Sequence, residues 1–165
     1  MPKDPRRQFL REKEAGRLLL EFSEKIGCVT EKTFGPKPRV EVVETQGAEF
    51  FFVDGKPLIA RLDGKIFPTL IFSEALSFLP KIVVDMGAVP YVCKGADIMA
   101  PGVRRITGEF KENDVLLIID ERYGKPLAVG IALFDSQNMK NIERGKIVRN
   151  IHYVGDKIWN FTKNQ

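Results

Sequence analysis

The chain has 165 residues, a net charge of +4, and 44% apolar and 29% charged side chains. That length holds one medium domain or two small ones, and the balance is ordinary for a globular protein. No apolar run approaches the ~20 residues of a membrane helix, and Met1–Arg7 is not followed by the apolar core of a signal peptide. A cytoplasmic protein with no membrane partner is therefore expected. The small positive surplus permits nucleic-acid binding without demanding it, so any such site must come from local clustering. Cys28 and Cys93 offer neither metal spacing nor a disulfide framework, and Cys93 is expected to be an inert, buried thiol.

In chain order, Asp4 and Pro5 form a helix-start signal, with Asp as cap and Pro at the first helical position. Ala15, Leu18, Leu19, Phe22 and Ile26 then recur at spacings of three and four, which places them on one buried stripe ending at Gly27. The opposite face mixes Arg6, Arg7, Arg11, Lys13 and Arg17 with Glu12, Glu14, Glu21 and Glu24. Interleaved glutamates cancel the field a phosphate would feel, so this is read as a solvated face. Arg6, Arg7 and Arg11 are its least compensated members.

Val40 to Glu44 reads as a strand, followed by a meander. Its strands are Glu49 to Val53, Pro57 to Leu62 and Lys65 to Phe67, joined by Asp54-Gly55 and Asp63-Gly64. Asp-Gly between apolar runs is the strongest short hairpin signal, because both residues tolerate positive φ. Ser73 to Leu79 is a short helix stopped by Pro80. Phe50, Phe51, Phe52, Phe67, Phe72 and Phe78 are expected in the core and at an interface between two halves, not on a base-stacking platform.

The boundary falls at Pro80-Lys81, giving domains 1–80 and 81–165. With no Gly/Ser linker there, the halves are expected to pack rigidly. Beyond it come strand Ile82 to Val84, a helix Gly87 to Lys94 capped by Asp85, and strands Val115 to Asp120 and Leu127 to Phe134. A helix Ser136 to Arg144 capped by Ser136 and a final strand pair, Ile147 to Tyr153 and Lys157 to Phe161, complete the pattern. Val115-Leu116-Leu117-Ile118-Ile119 suits a strand buried on both faces of a closed barrel. Trp159 is expected as a core anchor.

No catalytic motif is present. There is no phosphate-binding Gly-Lys loop, no nucleophile elbow and no metal-ligand set, and the sole histidine, His152, lies within a strand pattern. Neither a cofactor nor a metal is expected, and the chain reads as a binding module. The most informative stretch is Lys94-Gly95-Ala96-Asp97-Ile98-Met99-Ala100-Pro101-Gly102-Val103. Gly95 stands where a left-handed cap ends a helix, and Pro101-Gly102 marks a turn. Between them lie small side chains, flanked by Lys94, Arg104 and Arg105, so the backbone there could approach a sugar-phosphate chain.

Together with Val84-Asp85-Met86-Gly87-Ala88-Val89, this stretch resembles the opening of a PUA domain. Asn113-Asp114-Val115, Ala128-Val129-Gly130-Ile131-Ala132, Arg144-Gly145-Lys146, Asn150-Ile151-His152-Tyr153 and Asp156-Lys157-Ile158-Trp159 follow in the matching order. With Phe67-Pro68-Thr69-Leu70 upstream, the whole resembles an archaeal-type member of the malignant-T-cell-amplified-sequence family of translation-machinery-associated proteins. The resemblance implies an α+β fold in which a small N-terminal pre-PUA domain packs on a C-terminal pseudobarrel of mostly antiparallel strands. It also implies binding of structured RNA, tRNA or rRNA, with the small ribosomal subunit and a translation factor as partners. The expected RNA-facing groove comprises the Gly95 turn, with amides of Gly95 and Ala96 as donors, then Met99, Pro101, Gly102 and Val103. Cationic Lys94, Arg104 and Arg105 join it, and Lys146 and Arg149 flank the strand carrying His152. Ala100 departs from the pattern, standing where many members carry Arg or another large residue. Two alternatives remain open: the RNA-specificity subunit of a modifying enzyme, and a protein adaptor using the Phe-rich sheet.

Overall fold

Both Asp-Gly pairs make the tight turns their chemistry favours. Asp54 and Gly55 sit at φ 49° and 83°, and Asp63 and Gly64 at 49° and 76°, the doubly left-handed geometry that matches the twist of a hairpin. The computed structural model describes residues 6–165. Its first unit, up to Phe78, contains β1 (Arg7–Phe9), α1 (Glu12–Ile26), α2 (Thr30–Phe34), β2 (Val40–Thr45), β3 (Ala48–Val53), β4 (Lys56–Leu62), β5 (Lys65–Pro68) and α3 (Ser73–Leu76). The strands form one antiparallel sheet in chain order.

The buried stripe of α1 is the expected one, Ala15, Leu18, Leu19, Phe22 and Ile26, and Gly27 ends it at φ 85°. Phe22, Phe34 and Phe72 form an aromatic cluster with ring centroids 5.8–5.9 Å apart. Phe50, Phe51, Phe52 and Phe67 are also buried, whereas Phe78 is 49% exposed. Ala75, Leu76 and Leu79 take the inward positions around α3, and Phe78 is left outside.

The start of α1 differs from expectation. Asp4 and Pro5 lie outside the described residues, and the helix begins at Glu12 after an extended Arg11. Arg7–Phe9 pair with β2 instead, and the Arg7 guanidinium lies 4.3 Å from the Phe52 ring centroid and 3.7 Å from the Glu41 carboxylate. Backbone pairing to an open sheet edge outweighs another helical turn here, so Arg6, Arg7 and Arg11 do not extend a helical basic strip.

The second unit, Leu79–Asn164, contains β6 (Lys81–Val84), α4 (Val89–Val92), β7 (Ile98–Met99), β8 (Val103–Thr107), β9 (Val115–Asp120), β10 (Pro126–Ala132), α5 (Ser136–Met139), β11 (Lys146–Tyr153) and α6 (Lys157–Lys163). A 3-10 turn, Ala100–Gly102, joins β7 to β8. The sheet order is β7-β11-β10-β9-β6-β8, with β6 parallel to β9 and the other pairs antiparallel. Ile82, Val84, Ile98, Leu116, Ile118, Ala128, Ile147 and Val148 fill the interior of this pseudobarrel. Gly130 makes that packing possible. A Cβ there would stand 2.4 Å from Val148 Cγ1 and 3.0 Å from the Arg149 carbonyl oxygen.

Three local readings are corrected. The helix expected over Ser136 to Arg144 is one turn, and Asp135 caps it by accepting the Asn138 N–H at 2.8 Å. The Ser136 hydroxyl instead accepts the Phe110 N–H. The strand expected over Lys157 to Phe161 is α6. β10 pairs along one edge of β11, β7 takes Lys146 and Val148 on the other, and the Asn150 N–H beyond them goes to the Asp97 carboxylate. Asp156 opens α6 by accepting the Trp159 N–H at 2.7 Å. Trp159 is half-buried on it, with Lys163 Nζ 4.5 Å from the ring, and is not a core anchor.

Asp156 also accepts the Tyr153 N–H at 2.9 Å and contacts His152 Nδ1 at 3.0 Å. Burial pushes its pKa up. Hydrogen bonding and electrostatic attraction from His152, with the two backbone donors, outweigh that and hold the carboxyl below its usual range.

Two outcomes follow. Gly130→Ala lowers stability by about 1–3 kcal/mol, because strand backbone must shift to admit the methyl; an unchanged denaturant midpoint contradicts this. An unfolded aspartate titrates near ~3.9, so the contribution of Asp156 is complete above that pH and is lost as pH falls through the lower folded value. Asp156→Ala therefore costs about 1 kcal/mol at neutral pH and flattens the acid limb of the stability curve. An acid limb identical to that of the parent chain refutes the assignment.

Candidate functional site

The Gly95 turn is closed by its own backbone. After α4, the N–H groups of Lys94, Gly95 and Ala96 donate to Tyr91 O, Val92 O and Tyr91 O at 3.0–3.1 Å. The amides of Gly95 and Ala96, expected as free donors, are thus already used. Gly95 sits at φ 96°, and a Cβ there would lie 3.0 Å from Tyr153 Cε1. Glycine serves both the left-handed conformation and the close approach of the Tyr153 ring.

The turn is then tied to β11. Asn150 Nδ2 donates to Val92 O at 3.1 Å and Ala96 O at 3.0 Å. The Asn150 N–H donates to Asp97 Oδ1 at 2.9 Å, and Asp97 Oδ2 pairs with Lys146 Nζ at 3.2 Å. Asp85, expected as the cap of a longer helix over Gly87 to Lys94, accepts the Ala88 N–H at 2.8 Å ahead of a single turn.

The expected site residues fall into two neighbouring groups bridged by Met99 to Val103. Lys94, Gly95 and Ala96 lie with Asn150 and Tyr153 at one end of the β7–β11 pair; Lys146 faces Met99 at the other end, and its ammonium reaches back to Asp97. Arg104 and Arg105 stand on the edge strand β8, where with Val103, Ala100, Lys140 and Ile147 they line an open cleft of about 340 Å³. Pro101, Gly102 and Met99 belong to an adjoining cleft of about 390 Å³, walled by Tyr91, Asp85 and Ile98. Lys94, Arg105, Lys140 and Arg149 are exposed. Two other cations are matched: Arg104 Nε lies 3.2 Å from Glu121, and Lys146 pairs with Asp97.

His152 is not at the surface. Its side chain is fully buried, against Asp156. The register shift between Val129 and Gly130 against His152 and Asn150 places an extra residue, Ile151, in β11; beyond it Tyr153 packs against the barrel core, while His152, opposite Val129, is buried on the other face against Asp156 at the start of α6. The one His–carboxylate pair, the arrangement a general base would use, is therefore sealed from substrate. Cys93 is half-buried, and burial pushes its thiol pKa up, so it stays protonated at neutral pH. Among the described residues no cluster of His, Cys, Asp and Glu is arranged to hold a metal, and no helix is long and apolar enough to cross a membrane.

Two features of this surface are absent from the sequence-based expectation. Tyr91, 68% exposed, could have been found by helical spacing, since inward Val92 puts its predecessor outside. Lys140 joins Arg104 and Arg105 only through the fold, and no local pattern announces it.

Residues 80–154 match the PUA domain family, and residues 6–73 match a domain of unknown function, DUF1947. An uncharacterised protein of Methanocaldococcus jannaschii is 39% identical over 94% of this chain and 96% of its own. Translation machinery-associated protein 20 of Saccharomyces cerevisiae is 27% identical over 84% and 81%. The crystal structure of a hypothetical protein from Pyrococcus horikoshii superposes with a TM-score of 0.82 at 35% identity, covering 95% of this chain and 99% of that one. The domain order, the pseudobarrel and these likenesses agree: the chain belongs to the family of PUA-domain proteins that carry a DUF1947 domain ahead of the PUA domain, with the translation machinery-associated and malignant T-cell-amplified-sequence proteins among its members.

Proposed function

We propose that this protein is a non-catalytic, cytoplasmic RNA-binding accessory of the translation machinery, which holds structured RNA, tRNA or small-subunit rRNA, on the cationic face of its PUA domain. The observation that carries the reading is a set of exposed cations on the PUA domain: Arg105 and Lys140 on one open cleft beside Arg104, and Lys94 on the neighbouring turn locked by Asn150 and Gly95, with Arg149 exposed on β11. Rigid backbone with mobile cationic side chains suits recognition of helical RNA by shape and phosphate position rather than by sequence. Arg104 and Lys146 join when phosphate replaces their carboxylate partners. Exposed ion pairs are worth ~0–1 kcal/mol, so the exchange costs little.

The names of the relatives, translation machinery-associated protein 20 among them, support a role in translation. The contact to RNA is made by side chains, since the amides of Gly95 and Ala96 are occupied. His152, buried, holds β11 to α6 and takes no part in it.

Filter binding to tRNA and co-sedimentation with small ribosomal subunits test the reading. Lys94→Glu with Arg105→Glu weakens binding about ten- to a hundredfold at ~100 mM salt and lowers the slope of log affinity against log salt by about 2. Equal affinity and slope in the double variant, or parent chain that binds neither RNA, refutes it. Co-purification with an RNA-modifying enzyme in place of ribosomal subunits would move the protein out of translation.

A further inference from the structure

The turn between β9 and β10 is more firmly built than a simple connection requires. The Asp120 carboxylate accepts the N–H groups of Tyr123 and Lys125. Those donors, Tyr123 foremost, hold its pKa low despite burial, so the anchor stays ionised. Gly124, at φ 62°, donates to Asp120 O at 3.1 Å. Glu121 ties the turn outward: its N–H donates to Val84 O at 3.0 Å, its carboxylate accepts the Met86 N–H at 3.4 Å, and it pairs with Arg104 at 3.2 Å. Asp85, between Val84 and Met86, donates its N–H to Gly102 O at 2.9 Å. The turn is thus fixed to the end of the barrel that carries the Tyr91–Met99 cleft.

What this fixed turn presents is Tyr123, at 72% the most exposed large apolar side chain among the described residues. Its ring contributes little to any core. The Arg122 guanidinium lies 5.9 Å from the ring centroid, and Glu121, Arg122, Gly124 and Lys125 are all exposed. Along the turn the neighbours of the ring are polar or charged, where the centre of a protein–protein hot spot would be apolar. Two carboxylates stand beside it in the turn and both are engaged, Asp120 by the Tyr123 and Lys125 N–H groups and Glu121 by Arg104. An aromatic face held rigidly among cations suits a nucleobase, whose stacking needs a preordered platform and whose phosphates need positive charge.

We propose that Tyr123 stacks on one unpaired nucleobase of the bound RNA, with Arg122 and Lys125 on the flanking phosphates. This second contact rests on the RNA-binding reading above and is separate from the Gly95 turn. It adds to shape recognition a requirement for a single-stranded nucleotide next to the helix.

The test titrates two labelled probes by fluorescence anisotropy: a fully paired hairpin RNA and the same hairpin with a short single-stranded overhang. The parent chain binds the overhang probe more tightly. Tyr123→Ala removes that preference, weakening overhang binding about tenfold while leaving the paired probe and the salt slope unchanged; Tyr123→Phe keeps it. Lys94→Glu with Arg105→Glu weakens both probes, so it reports on the general reading independently. Tyr123→Ala that still prefers the overhang, with an unchanged thermal midpoint, overturns the proposal. So does loss of a protein partner with RNA affinity intact, or a parent chain that binds neither probe.

Discussion

The two hydrogen bonds from the Asn150 side chain to Val92 O and Ala96 O are what the rest of the second unit's surface depends on. They join a helical turn of four residues, far too short to be stable alone, to the middle of β11. The Asn150 N–H meanwhile goes to Asp97, so one residue fixes both the end of α4 and the start of β7. Without this clamp the Gly95 turn would be a loop of small residues paying full ordering entropy on every encounter. With it, Lys94 and Tyr91 project from a scaffold as rigid as the barrel.

That construction also explains why the turn does not offer its backbone. A turn whose amides were free would be held less well, and a turn held this well has none to spare. The structure resolves the conflict by assigning order to the main chain and charge to the side chains. Glycine at position 95 serves conformation and the approach of Tyr153, not the approach of a ligand. The same division appears at the β9–β10 turn, where Asp120 gathers backbone donors and Tyr123 is displayed.

Features governed by local chemistry were legible in the sequence. The Asp-Gly hairpins, the α1 stripe with its glycine stop and the apolar strands β9 and β10 depend on residues a few positions apart. Features decided by distant partners were not. β8, Val-Arg-Arg-Ile-Thr, has no apolar run, and becomes a strand because β6 offers it an edge. α6 carries a strand-like composition, yet the Asp156 side chain, already held by β11, caps a helical turn there. His152 reads in the sequence as a strand residue open to RNA, yet it is fully buried, because the chain that follows it brings Asp156 and α6 against its side of β11. Of the candidate site, the turns at Gly95 and Pro101-Gly102 were legible by position; the occupancy of the amides and the nearness of Lys140 to Arg104 and Arg105 needed the fold.

The strand orders of the two units have a consequence for how the chain comes into being. β2 to β5 pair with immediate neighbours in sequence, so the first sheet can zip as successive short loops close. In the second unit β6 lies between β8 and β9, and β7 has only β11 beside it. Short β7 must therefore wait for a partner some fifty residues later, with loop-closure entropy paid before any reward. During synthesis the amino-terminal sheet can form while the barrel is still open, and the Gly95 turn acquires its final shape only when Asn150 arrives. The surface that would meet RNA is thus among the last parts of the molecule to be made.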